Sequence, residues 1–274
     1  MAYKIKNIFK PKKIILKDGR EIQPPTAITP FVLIILTILV LISMKITNFS
    51  LDVLIKKGEQ FFVILSDMIP PDFDYAKVVL GPLLDTIKMS ILGSILGCII
   101  AIPFSILSST NINSNKVILW IVRSFSSIIR TLPALIIALI ATYVFDLGTF
   151  AGTIAIAIFT FGIVAKMLYE KIETVDMGPF EAMEAVGATK IQAFIGAIMP
   201  QIMPSYFSIC LYSFEINVRY AAILGYVGAG GIGLILNEKL AWREYSSVGM
   251  ILLMLFITVI SIEYISKFIR ERLG

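Results

Sequence analysis

The chain has 274 residues, of which 57% are hydrophobic and only 16% charged, against roughly 25% charged residues in soluble proteins. The apolar residues come in long blocks, so the composition excludes an ordinary soluble enzyme or binding module. The absence of histidine excludes a His-based catalytic triad, and no metal or cofactor site is expected. A net charge of +5 would suit nucleic-acid binding, but the basic residues lie at the ends of apolar segments, which favours orientation in a membrane and no nucleic-acid partner.

Six apolar segments are long enough to cross a bilayer as helices, which takes about 20 residues because lipid offers no partner for backbone polar groups. These spans cover approximately Thr29–Lys45, Thr86–Ser109, Val117–Phe145, Phe150–Tyr169, Ile198–Val218 and Val248–Phe268. Gly93 and Gly97 form a small-xxx-small pair that predicts close helix packing, and Pro103 and Pro133 are expected to kink or end their helices. The first segment is interpreted as a retained anchor, because a basic tail precedes it and no small-residue cleavage site follows. The sequence therefore predicts an all-α, polytopic membrane protein.

The distribution of Lys and Arg predicts that both termini are cytoplasmic. Residues 1–28 form a basic tail, and the other end of the chain carries Lys267, Arg270 and Arg272. The loop between the first two spans leans acidic and is expected outside, whereas the long charged loop between the fourth and fifth spans is expected inside. The expected organisation is a cytoplasmic tail over residues 1–28 and a multi-pass domain over residues 29–274 in the cell membrane.

The loop at about residues 170–200 contains ordered signals for two short helices. Gly178-Pro179 ends one helix and starts another, with Glu181 in the first turn, where the helix dipole favours an acid. Gly187 then interrupts the pattern, and Thr189 with Gln192 has the spacing of a capping box. These residues predict a helix, a glycine bend and a second helix. From the residues alone, this segment is either a surface that docks into a partner or an amphipathic loop lying on the membrane.

The same loop resembles the EAA loop of ATP-binding-cassette (ABC) importer permeases of type I. The matching positions are Glu181, Ala182, Gly187 and, thirteen residues later, Pro200. The chain departs from the pattern by small or apolar exchanges at Met183, Ala197 and Met199. The resemblance implies that this loop is the coupling helix that sits in a cleft of a cytosolic ATPase, with Glu181 pairing with a basic residue of that partner.

A second resemblance concerns residues 214–236, which contain Asn217, Arg219 and a run of glycines. The segment is similar to one found in small importer permeases for methionine and phosphonate, and residues 69–73 and 148–152 resemble the phosphonate branch. The glycines singled out here as packing, bending or outer-gate positions are Gly225, Gly228, Gly230, Gly231 and Gly233. Three of them match the dinucleotide-binding G-x-G-x-x-G spacing, but that site needs a βαβ unit, and this segment lies between two spans.

Arg219 and Glu215 are ionisable residues placed at the outer end of the fifth span. Ionisable groups in a bilayer are costly and often mark a transport pathway. Their spacing of four residues also allows a mutual ion pair on one helix. Both interpretations of Arg219 stay open at this point.

No G-x-x-x-x-G-K-[ST] motif occurs in the chain, so the resemblance implies a non-catalytic subunit driven by a separate ATPase. Since one chain supplies one coupling helix and the ATPase pair needs two, a homodimer is expected in membrane lipid, supplied by an extracellular solute-binding protein. The substrate implied by the resemblance is phosphonate or a related phosphorus oxyanion such as phosphite. The alternatives are another small solute such as methionine, or a secondary transporter working alone, which would favour mid-membrane charges and inverted repeats.

Overall fold

The computed structural model describes residues 14–15, 21–22 and 29–273. Two short strands, β1 (Ile14–Ile15) and β2 (Glu21–Ile22), pair antiparallel with Ile14 opposite Ile22. This pair is the one departure from an all-α fold in the described part of the chain. The rest of the predicted basic tail lies outside the described residues.

The helices of the described chain account for every predicted span. They are α1 (Thr29–Ile46), α2 (Leu51–Asp67), α3 (Ala76–Ser108), α4 (Lys116–Thr131), α5 (Ala134–Phe145), α6 (Thr149–Ile172), α7 (Gly178–Ala185), α8 (Lys190–Ala193), α9 (Met199–Leu224), α10 (Ile232–Ala241) and α11 (Tyr245–Leu273). Short 3₁₀ turns cover Phe73–Tyr75 and Gly225–Val227, and a π-helical turn covers Phe194–Ile198.

By length and apolar composition, four helical segments of the described chain can each cross a membrane, and the count reaches six if two bent pairs are each one span. The four contain α3, α6, α9 and α11. The bent pairs are α1 with α2, at 66°, and α4 with α5, at 92°. The predicted number of six spans therefore holds only with both bent pairs included.

The chain divides between Val63 and Ile64 into two compact units. In the first unit, α1 exposes apolar side chains along its length, as expected for a helix surrounded by lipid. The segment Leu51–Asp67 was expected to be a loop because of its charges, and that expectation is wrong, since it forms helix α2. Its charges support the helix locally, because Lys56 donates to Asp52 one turn earlier at 2.8 Å.

The predicted third span, Val117–Phe145, is a pair of helices that meet at Pro133. Leu132 is extended there, with φ −74° and ψ 127°, because a residue before proline disfavours the helical region. The two halves also differ in chemistry: α4 carries Arg123 and Arg130, whereas α5 has only apolar residues apart from Thr142 and Tyr143. The break at Pro133 therefore separates an amphipathic helix from an apolar one.

The core of the second unit is the close packing of α3 against α6. A Cβ on Gly97 would lie 2.6 Å from the carbonyl oxygen of Ala157, and one on Gly93 would lie 2.7 Å from the side chain of Ile156. Neither position has room for a side chain, so the small-xxx-small prediction for this pair is confirmed. The close approach fixes the position of α3 relative to α6.

Candidate functional site

The segment after α6 forms the predicted helix, glycine bend and helix. In α7, Pro179 occupies the first turn, and the exposed Glu181 donates its backbone N–H to the Met177 carbonyl at 2.9 Å. The Glu181 carboxylate forms no ion pair with any described residue, and the neighbouring Ala182 is also exposed. An unpaired acid beside a small side chain is open to a partner from outside the chain.

Gly187 makes the bend with a backbone conformation that favours glycine. Its φ is +93°, and its N–H donates to the Glu184 carbonyl at 3.0 Å. An added Cβ would meet no described atom within 4 Å. Thr189 then begins α8 with a capping box, in which the Thr189 N–H donates to the Gln192 side chain at 2.9 Å. Glycine is therefore required at residue 187 by backbone conformation and not by packing.

One side of this loop is anchored to the membrane helices. Phe180 is buried in a cluster with Leu168 and Ile172 from α6, Ile198 from the π-helical turn and Ile202 from the start of α9. Asp176 and Gln201 add two hydrogen bonds across the loop: the Asp176 N–H donates to the Gln201 amide oxygen at 3.2 Å, and the Gln201 amide donates to the Asp176 carbonyl at 3.1 Å. Pro200 lies in the first turn of α9, between the π-helical turn and Gln201.

The opposite side of the loop exposes apolar side chains. Val186 is 86% exposed and Ile191 is 73% exposed. The sequence indicated that this segment could dock into a partner, but it did not single out Ile191. The signal for Ile191 was its position two residues after the Thr189 cap, which turns it away from the buried Ala193.

A polar cluster joins the base of this loop to α4. Glu173, just after α6, accepts hydrogen bonds from the Thr110 N–H at 2.8 Å and from the Thr110 hydroxyl at 2.6 Å, and it pairs with Arg123. Burial would raise the pKa of Glu173, but the Thr110 hydrogen bonds and the Arg123 guanidinium outweigh it and lower the pKa. Arg123 also lies over the Tyr169 ring at 4.7 Å. The cluster fixes the end of α6 from which the loop departs.

Charged residues also link α9 to α11. Arg219 donates to Glu215 at 2.7 Å and to Glu263 at 2.9 Å, and Arg270 donates to Glu215 at 3.1 Å. The Glu215 side chain is 8% exposed, whereas that of Arg219 is 47% exposed. The four charges neutralise one another, and the buried acid holds two basic partners.

This network bears on the sequence-based position of Glu215. The residue was expected at the outer end of its span, and the C-terminal end of the chain was expected inside. Glu215 pairs with Arg270, three residues before the end of the described part of α11, so the two expectations are incompatible. The expected ion pair between Glu215 and Arg219 is present, and two partners from α11 come in addition. A pathway role for Arg219 stays a prediction.

The glycine-rich segment packs tightly within the chain. A Cβ on Gly225 would overlap the Gly233 backbone, so the 3₁₀ turn and α10 approach at backbone distance. Positive φ occurs at Gly228, Gly230 and Gly231. The segment is tied to α3, where the Ile232 N–H donates to the Thr86 hydroxyl at 2.8 Å, and to the start of α6, where the Gly148 N–H donates to the Gly228 carbonyl at 2.9 Å. Backbone packing, one of the expected roles, is therefore present.

Asn217 connects three helices by a buried polar network. Its side-chain amide donates to Ser94 of α3 and to Thr160 of α6, both at 2.7 Å, and the residue is 1% exposed. A satisfied buried amide fixes the relative position of the helices that it joins. Sequence reasoning singled out Asn217 only as part of a pattern and did not foresee these partners.

Residues 82–274 match the model of the family described as "Binding-protein-dependent transport system inner membrane component". The chain belongs to this family. The membrane-spanning, mainly α-helical permease fold expected from the sequence is confirmed, and the chain is the non-catalytic membrane subunit of an ABC importer.

Two curated relatives of this permease are named for phosphorus oxyanions. The "Phosphate-import permease protein PhnE" of Mycolicibacterium smegmatis is 35% identical over 77% of this chain, and the match covers 40% of that relative's length. The "Phosphite transport system permease protein PtxC" of Stutzerimonas stutzeri is 31% identical over 75% of this chain and 74% of its own length.

A solved structure supports the fold of the permease. The inward-facing MetNI methionine ABC transporter aligns with a TM-score of 0.66 at 21% identity, over 74% of this chain and 99% of the matched one. At this identity, the likeness concerns the fold alone.

Proposed function

We propose that this permease imports a phosphorus oxyanion, such as phosphonate or phosphite, and that a cytosolic ABC ATPase drives it by docking on the loop between α6 and α9. Under this proposal, the basic tail over residues 1–28 and both termini are cytoplasmic, and the membrane domain over residues 29–274 carries the pathway. A binding protein delivers the solute at the opposite side.

The single observation that carries the coupling role is the two-sided character of the loop. Its outer side offers Glu181, Ala182 and Val186 to a partner, whereas its inner side is anchored through Phe180 to α6 and α9. A partner that moves the loop must therefore move these helices with it. Gly187 fixes the angle between the two short helices, and Pro200 begins the helix that receives the motion.

The number of coupling loops supports a homodimer. ATP closes two nucleotide-binding subunits around a two-fold axis, and each subunit needs one docking helix. One copy of this chain supplies one such loop, so two copies complete the assembly. Movement of the two loops would then open the spans alternately to the two sides of the membrane.

The substrate class rests on the two curated relatives named for phosphate and phosphite transport. Arg219 is the proposed pathway residue, because its side chain is 47% exposed and can therefore meet a solute. Its ion pairs with Glu215 and Glu263 hold the guanidinium in a fixed position. The segment containing Gly225, Gly228, Gly230, Gly231 and Gly233 is the proposed outer gate, since it connects α9 to α10 and contacts both α3 and α6.

The function is tested by reconstituting the permease with its ATPase and binding protein in liposomes. ATP-dependent uptake of radiolabelled phosphate should be inhibited by unlabelled phosphite or methylphosphonate and not by methionine. Inhibition by methionine alone would contradict the proposed substrate class. Uptake that persists without the ATPase would instead identify a transporter that works alone.

A further inference from the structure

A cationic cavity lies between α4 and α6, near the end of α6 from which the coupling loop departs. Its volume is about 240 Å³, and its lining residues are Arg123, Ser124, Ser126, Ser127, Arg130, Lys166 and Tyr169. Three of these side chains are basic and none is acidic, so the lining has the charge and the hydrogen-bond donors that suit an anion.

The spacing along α4 explains why the basic and hydroxyl groups share one wall. Arg123 and Arg130 are seven residues apart, which is two turns and about 10 Å along one face of a helix. The serines lie between them in the sequence, and Lys166 reaches the cavity from α6. Donors therefore come from two helices.

Charge compensation is incomplete in this cavity. Arg123 is paired with Glu173, and Lys166 is 3.4 Å from Glu170. The Arg130 side chain forms no ion pair or hydrogen bond with another residue of the described chain. In the network around Glu215, by contrast, each arginine faces a carboxylate. The cavity is thus left with a basic group that lacks a counter-charge.

Ser126 provides a second and independent indication of a ligand. The residue is 4% exposed, and its hydroxyl oxygen has no hydrogen-bond partner among the described residues. Buried hydroxyl groups are nearly always hydrogen-bonded, because leaving them unpaired is destabilising. Since Ser126 lines the cavity, a ligand there can supply the missing partner.

We propose that this cavity is a binding site for a phosphorus oxyanion, held by Arg130 and Lys166 and by the Ser126 hydroxyl. Guanidinium and hydroxyl donors from different directions suit a tetrahedral anion, and arginine binds phosphate-type oxygens with paired hydrogen bonds. The proposal rests on the proposed function where the source is the transported solute. A phospholipid headgroup has the same chemistry and is the second source.

The test measures binding of radiolabelled inorganic phosphate to the permease purified with its ATPase in a glycosidic detergent. Arg130→Gln should weaken binding about tenfold or more, because it removes a charge-assisted hydrogen bond, and Ser126→Ala should weaken it by a smaller factor. Arg130→Lys should recover part of the affinity. Lys116→Gln is the matched control, since it removes a basic residue from the same helix outside the cavity, and it should bind as the wild type does.

A second arm separates the two sources. Anionic phospholipid retained by each purified variant is measured by mass spectrometry. If the source is lipid, the wild type and Lys116→Gln retain phosphatidylglycerol, Arg130→Gln does not, and free phosphate binds to none of them. If Arg130→Gln and Lys116→Gln do not differ in either phosphate binding or lipid retention, the site does not exist.

The outcome is also distinguishable from failure of the proposed function. Wild-type uptake of phosphite with no effect of Arg130→Gln on uptake, phosphate binding or lipid retention would overturn the cavity site and leave the import function standing. Binding of phosphate that depends on Arg130, without uptake of any phosphorus oxyanion, would support the site and refute the proposed substrate.

Discussion

Glycine is required at two places in this permease for different reasons. At Gly187, φ is +93° and no described atom lies within 4 Å of an added Cβ, so backbone conformation alone requires glycine. At Gly225 and Gly233, φ is not positive, but an added Cβ on either residue would overlap backbone of the same chain. The space beside Gly187 is free for another protein, whereas the space beside Gly225 and Gly233 is filled by backbone of the same chain. A glycine in the sequence does not by itself distinguish a docking surface from a packed core.

The largest effect is expected for Gly233→Ala. The new methyl group would collide with the Ala222 carbonyl, and main-chain atoms cannot move aside as a side chain can. We expect a loss of about 3 kcal/mol or more in stability, at the upper end of the range for overpacking. Thermal unfolding and size-exclusion profiles of the purified protein would measure it. Wild-type unfolding temperature in this variant would show that the two segments are not in backbone contact.

The next effect concerns docking of the ATPase on the loop that bends at Gly187. Glu181→Ala should weaken ATPase association by about 2 kcal/mol, because its basic partner in the ATPase would be left unpaired. The permease itself should unfold at the wild-type temperature, since Glu181 has no ion-pair partner in the described chain. Co-purification of the ATPase measures the loss, and Glu271→Ala, which removes an exposed carboxylate from α11, is the control. Equal ATPase recovery from both variants would refute the docking role of Glu181.

A smaller effect is expected for Gly187→Val, which forces a β-branched residue into positive φ. The strain is of order 1–3 kcal/mol and is confined to the loop, so ATPase recovery should fall while the spans stay folded. Gly187→Asn is the matched variant, because asparagine tolerates positive φ better than valine does. Asparagine should therefore retain more ATPase than valine. If the two variants behave alike, backbone conformation is not what the bend requires.

The smallest effect is expected at Gly58, which has neither positive φ nor a close neighbour. It lies in α2, and an added Cβ meets no described atom within 4 Å. Gly58→Ala should be neutral or stabilising by up to about 1 kcal/mol, since alanine is the better helix former. Thermal unfolding beside Gly233→Ala would show whether contact, and not glycine content, determines the sensitivity of each segment.

Local signals explain which parts of the structure were predictable. The loop geometry followed from Gly178-Pro179, Gly187 and the Thr189–Gln192 pair, because capping and bending depend on neighbours within four residues. The long spans followed from apolar length alone. Helix α2 was missed because its charges suggested a loop, although Asp52 and Lys56 are spaced to pair on a helix.

Contacts between distant residues could not be predicted from one sequence. Arg123 and Glu173 are fifty residues apart, and no local pattern in the sequence relates them. Arg219 has a partner at Glu263, on a helix whose packing no local pattern specifies. The role of Ser126 could not be predicted either, because it depends on burial of the side chain and on the missing hydrogen-bond partner of its hydroxyl group. Such sites emerge only when helices far apart in the chain are brought together.

The most direct test of the account is site-directed cross-linking of the loop to the ATPase in native membranes. Cys98 and Cys210, the cysteines of this chain, are first replaced by serine, and single cysteines are then placed at Ala182, Val186 and, as a control, Glu244. Cysteines at residues 182 and 186 should cross-link to the ATPase, and the yield should change when ATP is added, while the cysteine at residue 244 should not react with it. Active uptake by these variants without any cross-link at residues 182 and 186 would contradict the assignment of this loop as the docking site.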